Sequence, residues 1–341
     1  MITQIRFQNF KALKNAEIKL GAFNVIVGPN GSGKSSVLQG LEALAEPYRV
    51  DYQKTVTAGV AEKEIRIITP MEQDGVVEQT GLSVRLGNQN SYFLGDANNE
   101  IHYWPNNPDS VKQFKLKPIF NRIKVFSLEA SSMWQPVDSR NVTTLNRDGK
   151  NLAGALTHLR DKDEDAYNQL REEFQRWIPE YDSIGFENDQ NGYRQITLRQ
   201  KTSRQVIPAS QASEGTLLAL ALLTIVYQPD APVLVGLEEP DRGLHPRLLR
   251  ELRDALYRLS FPSDFGIKRA PVQVVVTTHS PFFLDLFKDH PEQVIIAEKC
   301  ADGTATFKNL SEDKELRELI GDAPLGEVWY SGVLGGVPVP A

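Results

Sequence analysis

Residues 23–27, FNVIV, form a short, mostly apolar, β-branched run, which reads as a buried strand. Val37, Leu38, Leu41 and Leu44 then recur at helical spacing. Two later runs, VLVGL from Val233 and VQVVV from Val272, also read as buried strands, the second of parallel type. Between them the period changes. NLAGALTHLR (151–160) and EDAYNQLREEFQRWI (164–178) show helical spacing and end near Pro179. GFEND and YRQITLRQ flank Asn191-Gly192, a hairpin signal. In QASEGTLLALAL (211–222) small and polar residues give way to unbroken Leu and Ala, which predicts a polar loop entering a buried helix. Pro246 suits the first turn of a helix through PRLLRELRDALYRL. Residues 1–130 alternate strand patterns with turn signals at Asp74-Gly75 and Gly95-Asp96, which predicts a lobe of antiparallel strands.

Composition narrows the class. The 341 residues suffice for one large domain or two ordinary ones, and 40% hydrophobic with 24% charged residues is the usual globular range. No apolar run reaches the ~18–20 residues of a membrane span. MITQIRFQNF lacks the apolar core of a signal peptide, and Cys300 alone allows neither an internal disulfide nor a CxxC metal site. A cytoplasmic protein with no membrane partner is expected. The net charge of −6 gives no general attraction to nucleic acid. Two segments are locally basic. One is 112–124, with Lys112, Lys115, Lys117, Arg122 and Lys124; the other is 194–204, with Arg194, Arg199, Lys201 and Arg204. Each is either a solvated face or a track for the phosphate backbone of DNA.

The chemistry is concentrated after the first strand. Gly28-Pro29-Asn30-Gly31-Ser32-Gly33-Lys34-Ser35 is a GxxxxGK[ST] phosphate loop between a strand and a helix. Its glycines let backbone N–H groups turn inward on the β-phosphate. Asn30, Gly31, Ser32, Gly33, Lys34, Ser35 and Ser36 are the residues expected to bind ATP. Lys34 reaches the β- and γ-phosphates, and the Ser35 hydroxyl is a ligand for Mg²⁺. The strand VLVGL ends in Glu238 and Glu239, followed by Pro240. Glu238 holds the magnesium through water, and Glu239 orients and polarises the attacking water. Glu238 stands where Asp is commoner, so its contact is expected to be indirect. His279 lies just past the strand beginning at Val272, the sheet edge where ligands of open α/β sheets bind, and reads as a γ-phosphate sensor. The helix start at Ser213 is either an anion site or a plain N-cap.

Phosphate loop, SEGT, paired acids and strand-end His, in that order, resemble the ATP-binding-cassette class of ATPases. EEPDRGLHP, SEGTLLALA, the opening IRFQNFKAL and the ending LGEVWYSGVLGG resemble the OLD type of AAA family ATPases, relatives of SMC-like and RecF ATPases. The resemblance implies an α/β P-loop NTPase fold of ABC-ATPase type. Its parts are a mixed, largely parallel core sheet flanked by helices, an antiparallel β lobe and a helical signature subdomain. It implies one composite head over 1–341, with an N-terminal lobe (1–135), a helical and hairpin insert with the signature helix (136–230), and a C-terminal lobe (231–341). Ser213 and Gly215 would complete the ATP site of a second protomer, and Asp241 would cross the interface. The assembly would be an ATP-dependent homodimer, or a higher even assembly, around two ATP molecules.

Three features depart from relatives. The coupling glutamine has no clear position, Gln211 being too near the signature. No heptad segment lies between Lys34 and Ser213. The stretch after His279 lacks the clustered acids of an OLD nuclease, so an ATPase head alone is expected. A switch acting on DNA or with a separate effector, such as a nuclease in antiviral defence or repair, is the leading reading. The alternatives are the energising subunit of a membrane transporter and a slow, ATP-stabilised scaffold. His245 is either a helix cap or a catalytic group, and Lys11 or Phe10 is a candidate contact for the adenine base.

Overall fold

The computed structural model describes residues 1–47, 51–57, 64–73, 76–86, 92–96, 101–104, 119–140, 142–312 and 323–335. In chain order the strands are β1 (Gln4–Phe10), β2 (Leu13–Lys19), β3 (Phe23–Val27), β4 (Glu64–Gln73), β5 (Val76–Leu86), β6 (Tyr92–Asp96), β7 (Ile101–Trp104) and β8 (Ile123–Phe126). They continue with β9 (Tyr181–Asn188), β10 (Arg194–Gln200), β11 (Val206–Pro208), β12 (Leu234–Glu238), β13 (Gln273–Thr278), β14 (Val294–Lys299) and β15 (Ala305–Asn309). The fold is α/β, with a mixed sheet, antiparallel sheets and helices, and its residues fall into two compact units.

The first unit comprises residues 1–125, 232–237 and 272–341. It carries two sheets. The antiparallel one runs β2-β1-β4-β5-β6-β7, the expected antiparallel lobe. The other runs β15-β14-β3-β13-β12-β8 and is mixed: β13 and β14 lie parallel to β3, and β15 antiparallel to β14. All five residues of β3 are buried, as its composition predicts. Its one polar residue, Asn24, is held there because its amide donates to Gly21 O (2.9 Å) and Val274 O (3.0 Å). The helix Lys34–Ala45 packs on both sheets. Gly40 lets the ring of Phe7 on β1 lie against the helix, since a Cβ there would strike it, and Leu38 packs over Gly236 of β12. Ile26, Val37, Leu41, Leu44 and Val275 join this core.

One turn signal is corrected. Gly95 and Asp96 are the last residues of β6: Gly95 pairs with Ser83 of β5 and Ile101 of β7. Pairing on both sides overrides the local turn preference of Gly-Asp. Asp74-Gly75 lies outside the described residues.

The second unit comprises residues 126–231 and 238–271. Its longer helices are Leu152–Lys162, Glu164–Trp177, Glu214–Tyr227 and Leu249–Ser260, beside an antiparallel sheet β11-β10-β9. The hairpin forms where Asn191-Gly192 predicts it. Asp189 Oδ1 accepts from the N–H groups of Asn191 and Tyr193, and Gly192 takes φ +81°. The helix Glu214–Tyr227 is buried on every side from Thr216 to Val226, which explains its lack of polar positions. Glu173, almost fully buried, joins three helices. It accepts two hydrogen bonds of 2.5 Å from Arg258 and one of 2.6 Å from Tyr227.

Candidate functional site

In the first unit, β3 delivers the phosphate loop at the end of the parallel strands. A Cβ at Gly28 would collide with the carbonyl oxygen of Ala297 on β14, so only glycine lets the chain turn there. Gly31 and Gly33 take φ +77° and +91°, the left-handed conformation that curls the loop. Lys34 is folded inward, its ammonium donating to Gly28 O (2.8 Å) and Pro29 O (2.9 Å). Ser32 is fully buried, and its hydroxyl oxygen has no hydrogen-bond partner among the described residues. A curled loop of N–H donors, an inward ammonium and an orphaned hydroxyl form a set that a polyphosphate satisfies. Asn30 is exposed, Ser35 half-buried and Ser36 buried in this loop and the first turn after it.

His279 belongs to the same edge. Thr278 is the register partner of Val27, so His279 and Gly28 leave neighbouring parallel strands side by side. The turn is held locally. Ser280 N–H donates to Thr278 Oγ1 (2.9 Å), and Ser280 Oγ accepts from Phe283 N–H (3.2 Å) to cap the short helix Pro281–Leu284. The ending LGEVWY forms the helix Leu325–Tyr330, which buttresses that turn. Gly326 N–H donates to Asp285 Oδ1 (2.6 Å), and a side chain at Gly326 would strike Pro281.

The second unit carries the signature and the acids. Glu238 closes β12 and is half-buried, as is Glu239, which follows it. Glu239 has φ +43°, a left-handed conformation uncommon for a side-chain-bearing residue and a recurrent mark of functional positions. Its carbonyl accepts from Arg242 N–H (3.0 Å), and that of Asp241 from Leu244 N–H (3.2 Å), closing the loop tightly. Ser213 is the N-cap of the helix Glu214–Tyr227. Its Oγ accepts from Thr216 N–H (3.1 Å) and lies 2.8 Å from Thr216 Oγ1. Gly215 is required by Gly243, whose carbonyl oxygen lies 2.8 Å from where its Cβ would stand. Ser213, Gly215, Gly243, His245 and Arg247 line an open cavity of about 820 Å³. His245 acts as a cap: its Nδ1 accepts from Arg247 N–H (3.2 Å).

Other expectations change. Phe10 is fully buried and cannot reach a base, and Lys11 Nζ donates to Gln39 Oε1 (2.5 Å). Lys112, Lys115 and Lys117 lie outside the described residues, leaving Arg122 and Lys124 of that segment. In 194–204, Arg199 (2.7 Å) and Arg204 (2.5 Å) share the carboxylate of Asp182, held below the usual range first by its hydrogen bond from Arg199. Arg194 and Arg199, five residues apart on β10, point to opposite faces. No cluster of three or more His, Cys, Asp or Glu able to hold a metal occurs among the described residues. Sequence reasoning missed the glycine contacts with β14, because they join segments far apart in the chain.

The family described as "AAA domain, putative AbiEii toxin, Type IV TA system" matches residues 23–285. The OLD nuclease of Thermus scotoductus is 20% identical over 354 aligned positions covering 87% of this chain. This chain spans 64% of that nuclease's length. An SMC head domain from Thermotoga maritima aligns with 90% of this chain and 98% of its own at 15% identity, with a TM-score of 0.47.

Proposed function

The chain belongs to the AAA-domain family matched over residues 23–285, and from that premise we propose that it binds and hydrolyses ATP as an ABC-class switch. The observation that carries this reading is the phosphate loop, with two left-handed glycines, an inward Lys34 and a buried Ser32 hydroxyl lacking a partner among the described residues. Asn30, Gly31, Ser32, Gly33, Lys34, Ser35 and Ser36 bind the nucleotide phosphates. Ser35 would supply a hard oxygen ligand for Mg²⁺ and Glu238 would hold the ion through water; when bound it neutralises phosphate charge. Glu239 orients water for attack on the γ-phosphorus and takes its proton as the bond to the β-bridging oxygen breaks, leaving ADP and phosphate. His279, at the sheet edge beside Gly28, senses the γ-phosphate.

Ser213, Gly215 and Asp241 act across a two-fold homodimer, in which the signature of one protomer meets the ATP of the other. The similarity to the OLD nuclease supports a role beside a nuclease effector; with it we propose action on DNA, in defence or repair, from a cytoplasmic location. The Asp182 pairing leaves Arg194 and Lys201 as the better candidates for a phosphate contact in 194–204.

Two variants test the site. Lys34→Ala is expected to weaken ATP binding by at least about 100-fold in an equilibrium titration. Glu239→Gln is expected to keep binding while phosphate release falls about 100-fold or more. Unchanged binding in the first, or unchanged turnover in the second, removes that residue from its role.

A further inference from the structure

We propose that Lys299, on the ribbon formed by β14 and β15, is a second phosphate-directed cation of the nucleotide site, and thus a positioning and affinity residue for ATP. This deepens the proposed function and rests on it. The ribbon is the back wall of the phosphate loop. β14 runs parallel to β3 as far as Ile296 opposite Val27. Beyond that point β3 turns into the loop, while β14 continues, paired with β15 through Ala297↔Phe307, Glu298↔Thr306 and Lys299↔Ala305. Ala297 presses its carbonyl on Gly28. Ala305 Cβ lies 2.8 Å, and the Phe307 ring 3.5 Å, from where a Cβ of Gly33 would stand.

Strand alternation decides which charge meets the loop. Opposed residues of a ladder share a face, so Ala297, Phe307, Lys299 and Ala305 face the loop together. The Lys299 ammonium lies 4.0 Å from the Cβ position of Gly31. Glu298, between them, faces the other way, toward Gly335. The overhanging end of β14 therefore turns a cation to the phosphate loop and its acid away. Lys299 is exposed and its ammonium has no ion pair or hydrogen bond among the described residues, whereas that of Lys34 is already bonded to two loop carbonyls. A mobile ammonium beside Gly31 is free to meet an arriving polyphosphate. Gly31 in turn leaves room for it, having no side chain of its own.

The test compares the full-length wild type with Lys299→Gln, Lys299→Arg and Lys34→Ala, titrated with a fluorescent ATP analogue. Lys299→Gln is expected to weaken binding roughly tenfold, and Lys299→Arg to stay within about twofold of wild type. The Gln defect should shrink when salt is raised to ~0.3 M, because an exposed charge is screened. Thermal melting should be the same for all three Lys299 forms, which excludes misfolding as the cause. The proposal is overturned if Lys299→Gln binds like wild type while Lys34→Ala has lost binding. It is also overturned if Lys299→Arg is as weak as Lys299→Gln. Wild-type binding by Lys34→Ala would instead bring down the nucleotide reading itself, and this inference with it.

Discussion

Glu239 is a carboxylate held at φ +43°, where a Cβ crowds the backbone. Only an over-determined loop keeps it there, and here Pro240 is buried and the Glu239 carbonyl closes a turn with Arg242. Glycine adopts that conformation freely. Glu239→Gly is therefore expected to leave the denaturation midpoint unchanged or to raise stability by up to about 1 kcal/mol, while ATP turnover is lost. A fall in stability would mean that the side chain supports the fold. Stability gained where function is lost is the usual signature of a strained functional residue. At this scale the sequence was most informative. Lys34, Glu239 and His279 stand in contiguous motifs whose chemistry is readable from neighbours. The backbone angle of Glu239 was not legible, because nothing in Glu-Glu-Pro announces a positive φ. Lys299 was not legible either, since it reaches Gly31 only through the register of two strands some distance apart in the chain.

Among the elements, the helices of the second unit depend on one buried cluster. Glu173 is bonded by Arg258 and Tyr227, so three helices share one carboxylate. Glu173→Gln leaves Arg258 without its counter-charge in a largely buried position. A loss of about 2–3 kcal/mol in urea denaturation followed by circular dichroism is expected. The Tyr227 hydroxyl is pushed above the ordinary tyrosine range, first by burial and then by the Glu173 carboxylate. The unfolded chain then ionises first, so stability present below pH ~10 declines as pH rises past it. Tyr227→Phe should flatten that alkaline decline. Helices and hairpin were legible here because each has a strong local period and a turn signal. The Glu173 cluster was not, because the pattern of Glu164–Trp177 marks an apolar face without saying which acid lies within it. The Gly95-Asp96 signal misled for the same reason: pairing with β5 and β7 is a property of the sheet, not of the dipeptide.

For the whole molecule the switch reading makes one demand: ATP must change the assembly. Ser213 caps its helix, so a substitution to a non-capping residue would confuse folding with function. Aspartate caps as well as serine but carries a charge that repels phosphate. In the Glu239→Gln background, light scattering should show mass doubling with Mg-ATP, and adding Ser213→Asp should abolish it without shifting the melting curve. A mass indifferent to ATP in both proteins would rule out dimerisation through this residue. The sheet order carries a different consequence, for synthesis. β3 is made early, yet both of its neighbours, β13 and β14, lie some 250 residues or more further along the chain. Until the ribosome has passed Thr278 the central strand of the mixed sheet has neither partner, and until it has passed Ile296 it lacks the second. The nascent chain must carry an apolar strand with two bare edges through most of its translation, and any product stopped short of β14 is a template for aggregation.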